Sequence, residues 1–310
     1  MTMLIGGNPG GGYDTSSRTL TRFLPKHLPG HPEIVERNSP GAGSGTAAAA
    51  ISRTAPKDGT WIGAIFPGVI MHPILDPGSP LQFEPKDFAF LGSADNSTRI
   101  CITRAGAPTR TFDDAKRRKT IMGASAAGGS TRDYAYMLNN IAGAKFDVVS
   151  GYKGSVDIFL AMERGEVDGM CGIDWASLRS QRPDWIRDKK VNILVETALE
   201  PTPELEKMGV PIMWKFVKND KDREAAELIV SQQVFGRPYI APPGTPADVV
   251  SILRDGIAKT FSDPEYQAAA EKARIDVSPV SGEKVQALVN QIYKASPEVA
   301  ERARAIIKPS

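Results

Sequence analysis

One arrangement constrains this chain more than any other: an apolar, strand-like run that ends in a glycine-rich loop and turns directly into a helical pattern. It occurs first at Met3 to Gly7, followed by "NPGGGYDT", after which Leu20, Phe23 and Leu24 recur at helical spacing with Asp14 or Thr15 placed to cap. It recurs at Glu33 to Arg37, followed by "NSPGAGSGTAAAA" (Asn38 to Ala50), and the third strand, Thr60 to Phe66, ends at Pro67 and Gly68. Three such units in under 80 residues predict a parallel sheet with covering helices.

The middle of the chain repeats the plan. Thr120 to Ala124 reads as a strand, "SAAGGSTRD" (Ser125 to Asp133) as the loop, and Tyr134, Met137, Leu138 and Ile141 as one helical face. Phe146 to Ser150, the loop "GYKGS", a helix opened by Ser155, and strands at Val167 to Ile173 and Val191 to Glu196 complete a second α/β sheet. The C-terminal part is helical, with starts predicted at Thr245–Pro246, Asp263–Pro264 and Ser281. At 310 residues the chain has room for two lobes of roughly 100–150 residues each.

A helix N-terminus presents backbone N–H groups with no intrahelical partner and the positive end of the macrodipole. Glycine lets that backbone approach a ligand, so carboxylates and phosphates suit such a site without a lysine. One glycine loop is equally the product of a tight turn. Three at strand-to-helix junctions (Gly10–Asp14, Gly41–Thr46, Gly128–Thr131), spread over both candidate lobes, point to a cleft for a small anion.

Other chemistries find little footing. "GAGSG" (Gly41 to Gly45) is not a dinucleotide fingerprint, and "GASAAG" (Gly123 to Gly128) is not a nucleophile elbow, so a serine hydrolase built on Ser125 or Ser130 lacks both elbow and base. With three histidines and no C-x-x-C, neither a metal site nor any other cofactor is expected. Cys101 and Cys171 read first as two buried free thiols, and as one disulfide if the chain matures in an oxidising compartment. A net charge of +2 gives no nucleic-acid footprint, and "KRRK" (Lys116 to Lys119) reads as the solvated end of a helix. No run reaches the roughly 18 apolar residues of a membrane span, so the chain is not expected to be membrane-embedded. No signal peptide precedes the first strand, and the start reads as truncated.

In order, "GGGYD", "NSPGAGSGTAAAAI", "APKDGT", "VVSGYKGSVDIFLAMERGEVDGM" and "APPGTP" resemble the tripartite tricarboxylate transporter substrate-binding proteins, or Bug receptors, from about Met3 to the C-terminal helix. The resemblance implies a two-lobed periplasmic binding protein (type II, flytrap), with hinge crossings near 91–103 and 233–242. Lobe one would be 1–102 plus 236–310, and lobe two 103–235. It implies a periplasmic, monomeric, non-enzymatic receptor that closes on a small carboxylate (a di- or tricarboxylic, amino or aromatic acid) and hands it to membrane permease subunits. A receptor handing its ligand-bound state to a signalling protein would look the same. Carried across by position, Gly10, Gly11, Gly12, Tyr13, Asp14, Ser44, Phe66, Pro67 and Gly68 would meet ligand from lobe one. Ser125, Gly128, Gly129, Ser130, Thr131, Lys153, Asp174 and Trp175 would do so from lobe two. Asp14 has a second reading as a helix cap, Lys153 as a solvated charge, Asp174 as a cap or surface ion pair, and Trp175 as core. The bulky Tyr13 departs from the family's proline-rich approach and would narrow the pocket or donate a hydrogen bond.

Overall fold

The computed structural model of the chain describes residues 1–78, 83–96, 98–125 and 128–309. It divides into two compact units, Met1–Ser97 with Val234–Lys294, and Thr98–Gln233 with Ala295–Ser310.

The first unit opens with β1 (Thr2–Ile5), α1 (Gly12–Phe23), β2 (Val35–Asn38), α2 (Gly45–Arg53), β3 (Trp61–Ala64), α3 (Pro67–Leu75) and β4 (Ala89–Ser93). The second unit runs β5 (Arg99–Arg104), α4 (Phe112–Arg117), β6 (Thr120–Ala124), α5 (Ser130–Ala142), β7 (Phe146–Ser150), α6 (Ser155–Arg164), β8 (Gly169–Asp174), α7 (Trp175–Gln181), α8 (Pro183–Arg187), β9 (Val191–Thr197), α9 (Pro203–Lys207) and α10 (Asp220–Val230). The chain then returns to the first unit with β10 (Pro238–Ala241), α11 (Ala247–Ser262), α12 (Pro264–Lys272), β11 (Val280–Ser281) and α13 (Gly282–Ile292), and ends in the second with α14 (Pro297–Ile306).

Each unit has its own sheet: β11-β4-β10-β3-β1-β2 in the first and β7-β6-β8-β5-β9 in the second. The strand–loop–helix repeats form the parallel parts, β3-β1-β2 and β7-β6-β8. The rest is antiparallel: β10 inserts between β3 and β4, and β5 between β8 and β9. The parallel sheet expected from sequence is therefore a mixed one, because a glycine loop marks a parallel crossover and nothing comparable marks an antiparallel strand.

The burial pattern follows from the same alternation of elements. Met3 and Ile5 of β1, Leu20 of α1, Ile62 of β3 and Ile257 of α11 share one core. In the second unit Ile100, Ile102, Phe159, Met170 and Leu178 share another. Side-chain caps fall where serine and aspartate stand before helical runs, with Asp263 accepting from Glu265 N–H and Ser281 from Lys284 N–H. Pro246 is itself the residue before α11 rather than its first residue.

The chain changes unit between 97 and 98 and again between 233 and 234, and the final segment, expected with lobe one, falls in the second unit. Helix α14 belongs to the second unit, where Arg302 pairs with Asp222 at 2.5 Å and Asn140 donates to the carbonyl of Ile306 at 2.8 Å. The chain thus passes between units three times rather than twice.

Cys101 on β5 and Cys171 on β8 form a disulfide with both side chains fully buried. It closes a loop of 70 residues, and the loop-entropy model puts its contribution at about 4 kcal/mol. Replacing both cysteines with alanine should lower stability by that order in urea unfolding followed by circular dichroism. An unchanged midpoint would leave the cross-link without a stabilising role.

Candidate functional site

In the first unit β2, β1 and β3 lie side by side and parallel, so the loops leaving their C-terminal ends share one edge of the sheet. Open α/β sheets bind ligands at such an edge. The first loop leads to α1 through Gly11, which provides no side-chain cap. Asp14 turns inward instead. Its carboxylate accepts from Gly10 N–H, Arg18 Nε and Asn38 Nδ2, each at 2.8 Å. Asn38, the last residue of β2, also donates to Gly7 O at 2.9 Å and accepts from Arg18 Nη2 at 2.9 Å. Burial opposes ionisation of Asp14, yet the bonds from Gly10, Asn38 and Arg18 outweigh it and hold the carboxyl below its ordinary range. The geometry therefore gives Asp14 the work of building the loop.

Tyr13 is half-buried beside Phe66, with ring centroids 4.3 Å apart. Its hydroxyl donates to the carbonyl of Gly236, and the Arg237 guanidinium lies 5.7 Å from its ring. Arg237 is itself buried and ion-paired with Asp95. Of the two sequence readings, a narrowing wall suits Tyr13 better than a hydroxyl donor to ligand.

The second loop is more strained. Gly41, Ala42, Gly43 and Ser44 all have positive φ (127°, 46°, 58° and 80°), two of them without the freedom of glycine. Ser44 is fully buried before α2, and its Oγ has no hydrogen-bond partner. That hydroxyl sits where a side chain on Gly6 would start, 1.9 Å from the ideal Cβ, so the two loops interlock only because position 6 is glycine. Phe66, Pro67 and Gly68, expected as a turn, are the start of α3: Phe66 precedes the helix and Pro67 takes its first turn. His72 is on that helix.

The second unit repeats the arrangement with β7, β6 and β8. Residues 126 and 127 of its glycine loop lie outside the described residues. Gly129 precedes α5, Ser130 opens it, and Gly128 has φ 80°. Thr131 Oγ1 accepts from Ser125 N–H at 2.9 Å and lies 2.8 Å from Ser125 Oγ, while Ser130 Oγ donates to Gly172 O at 2.9 Å. The Ser125 hydroxyl is thus engaged within the loop and that of Ser130 on β8, neither with an imidazole. Asp133, buried in the first turns of α5, pairs with Arg132 at 3.1 Å. Burial pushes its carboxyl up to about 6, against the pull of Arg132 and of the Gly128 N–H.

The remaining positions separate. Lys153 is exposed and has no ion pair among the described residues. Asp174 ends β8 and caps α7, accepting from Ser177 N–H at 2.8 Å. Trp175 is 3 % exposed within the apolar core and donates its ring N–H to Glu204. It is a packing residue. Sequence reasoning passed over Arg99, which opens β5 directly across from Asp174 at the same sheet edge. No glycine loop precedes it, and an antiparallel partner cannot be read from spacing. Among the described residues no cluster of His, Cys, Asp or Glu is arranged to hold a metal ion, and no helix is long and apolar enough to cross a membrane.

Two α/β units of this construction, with mixed sheets flanked by helices, define the fold of the two-lobed periplasmic binding proteins. No family model and no curated protein sequence matches the chain. Among solved structures it is similar to the periplasmic binding protein BugD (TM-score 0.71, 23% identity, covering 99% of this chain and 97% of that one). It is also similar to a Rhodopseudomonas palustris protein solved with adipate (TM-score 0.74, 18% identity, 98% and 96%). MatC from Rhodopseudomonas palustris, solved with malate, has TM-score 0.70, 18% identity and coverage of 99% and 98%.

Two outcomes follow from the carboxylates in these loops. Asp14→Ala leaves the Gly10 N–H, Arg18 and Asn38 without their acceptor and should cost about 2–3 kcal/mol in denaturant unfolding. Asp133 has the opposite sign of pH linkage to a paired surface acid. Its native carboxyl holds a proton more tightly than the unfolded one, so stability falls as pH rises from about 4 to about 6, by up to about 3 kcal/mol. Asp133→Asn should remove that slope in melts recorded across the range, and an unaltered slope would assign the pH dependence elsewhere.

Proposed function

We propose that this chain is an extracytoplasmic solute-binding receptor of the tripartite tricarboxylate transporter type, a Bug receptor. It captures a small carboxylate with loops from both units and delivers it to a membrane permease, without catalysis or cofactor. The observation that carries the reading is the pair of sheet edges at which helices α1, α2 and α5 start on glycine-bearing loops, with no lysine in the loops themselves. Such donors suit a carboxylate, held directly or through water. The similar folds solved with malate and with adipate support the ligand class. The buried disulfide supports maturation in an oxidising compartment such as the periplasm.

In this reading Gly10, Gly11, Gly12, Tyr13, Ser44, Phe66, Pro67 and Gly68 face ligand from the first unit. Ser125, Gly128, Gly129, Ser130, Thr131 and Lys153 do so from the second. Asp14, Asp174 and Trp175 hold the loops and helices that carry them.

A thermal-shift panel of di-, tri- and aromatic carboxylates tests the proposal. An acid at about 100 times its Kd adds roughly 2.7 kcal/mol of stability. A response to neutral sugars alone would refute the ligand class. Gly129→Leu should abolish the shift while the unliganded melt stays within a few degrees of wild type.

A further inference from the structure

Most of the buried and half-buried arginines among the described residues are answered by an acid. Arg18, Arg104, Arg132, Arg182, Arg237 and Arg254, each buried or half-buried, hold Asp14, Asp168, Asp133, Glu163, Asp95 and Glu283. Arg99 is half-buried too, and among the described residues it holds no carboxylate. Among the described residues its guanidinium has one protein hydrogen bond, and that is marginal: Nη1 lies 3.5 Å from the carbonyl of Gly172. A guanidinium partly removed from water without a counter-charge is costly, and such groups are ordinarily paired.

The location gives this vacancy meaning. Gly172 O also accepts the Ser130 hydroxyl, so the Arg99 head group and the first residue of α5 meet at one carbonyl. Gly172 has φ 64°, and its ideal Cβ would fall 2.1 Å from Ser130 O, so β8 is pressed against the start of α5. The charge of Arg99 also bears on the buried phenol of Tyr134, one turn into the same helix. Arg99 itself lies between Asp174 and Thr197 in the sheet, and Asp174 is committed to the cap of α7.

We propose that Arg99 forms the ion pair with a ligand carboxylate held at the start of α5 and so makes the second unit charge-selective; the inference rests on the carboxylate-receptor reading above. A carboxylate there receives backbone N–H groups from the helix and a charge-assisted bond from the guanidinium. Near the loops of the first unit, Arg18 and Arg237 are neutralised by Asp14 and Asp95.

The test is calorimetric titration of adipate, malate and the neutral diamide adipamide into wild type, Arg99→Gln and Arg99→Lys, at low and at high salt. Circular dichroism melts check that each variant is folded. Arg99→Gln should bind the better of the two acids at least about tenfold more weakly. Its remaining affinity should be nearly indifferent to salt, and its preference for adipate over adipamide should collapse. Arg99→Lys should recover part of the affinity and the salt dependence, even if the glutamine variant proves unstable. If wild type binds an acid and folded Arg99→Gln binds it equally, Arg99 is not the partner and the receptor reading stands. If wild type binds neither of these acids nor any in the thermal-shift panel, the receptor reading fails and the Arg99 proposal fails with it.

Discussion

The first unit is organised around a carboxylate pointed the wrong way for binding. Asp14 lies in the opening turn of α1, where a negative charge complements the helix dipole, yet it bends back to take the N–H of Gly10 and a side-chain N–H from the end of β2. Three donors, one of them a guanidinium, make ionisation cheap despite burial, so the charge is fixed at neutral pH. The result is a glycine loop that is open at its tip and rigid at its base. Asn38 makes the same bond serve both neighbouring loops, since it also donates to Gly7 O and stands one residue before the second glycine segment. Rigidity matters for a site made of backbone donors, because such donors select a ligand only when they are already in place.

The second unit solves the same problem with fewer donors, and the carboxylate responds accordingly. Asp133 takes only Gly128 N–H and its neighbour Arg132, and burial then dominates. One loop is held by a firmly ionised acid and the other by an acid that titrates near pH 6. The contrast arises from neighbours: β2 delivers Asn38 to Asp14, whereas Asp133 has no comparable amide from β7.

The sequence carries the parallel half of each sheet in plain view, because strand, glycine loop and helix succeed one another within some twenty residues. Loop chemistry is also visible there, down to the caps at Asp263 and Ser281. What is hidden depends on partners far along the chain. The antiparallel strands β5 and β10 owe their places to partners far along the sequence, Arg99 of β5 to Asp174 and Tyr239 of β10 to Ala64, and α14 docks through Arg302 on Asp222, 80 residues earlier. Trp175 sits next to a strand-end aspartate, which in sequence makes it a candidate wall. Only the fold reveals that its indole turns to the core and Glu204. Tyr13 is the reverse case. Its departure from the expected loop is legible, but the carbonyl of Gly236 that claims its hydroxyl is not.

Arg99 belongs to this hidden class, and its setting explains why a cation that meets no carboxylate among the described residues can be kept there. The disulfide joins β5 to β8 two residues beyond Arg99 and one before Gly172. The pairing of Arg99 with Asp174 and Thr197 is therefore cross-linked on one side and hydrogen-bonded on the other, where Thr197 Oγ1 donates to Arg99 O at 3.0 Å. A long flexible side chain on a mobile edge would lose entropy on binding that offsets much of an ion pair. On a pinned central strand the backbone contributes none of that loss, and only the side chain remains to be ordered. The cross-link thus does more than stabilise the second unit, since it holds the root of the guanidinium in register with the start of α5.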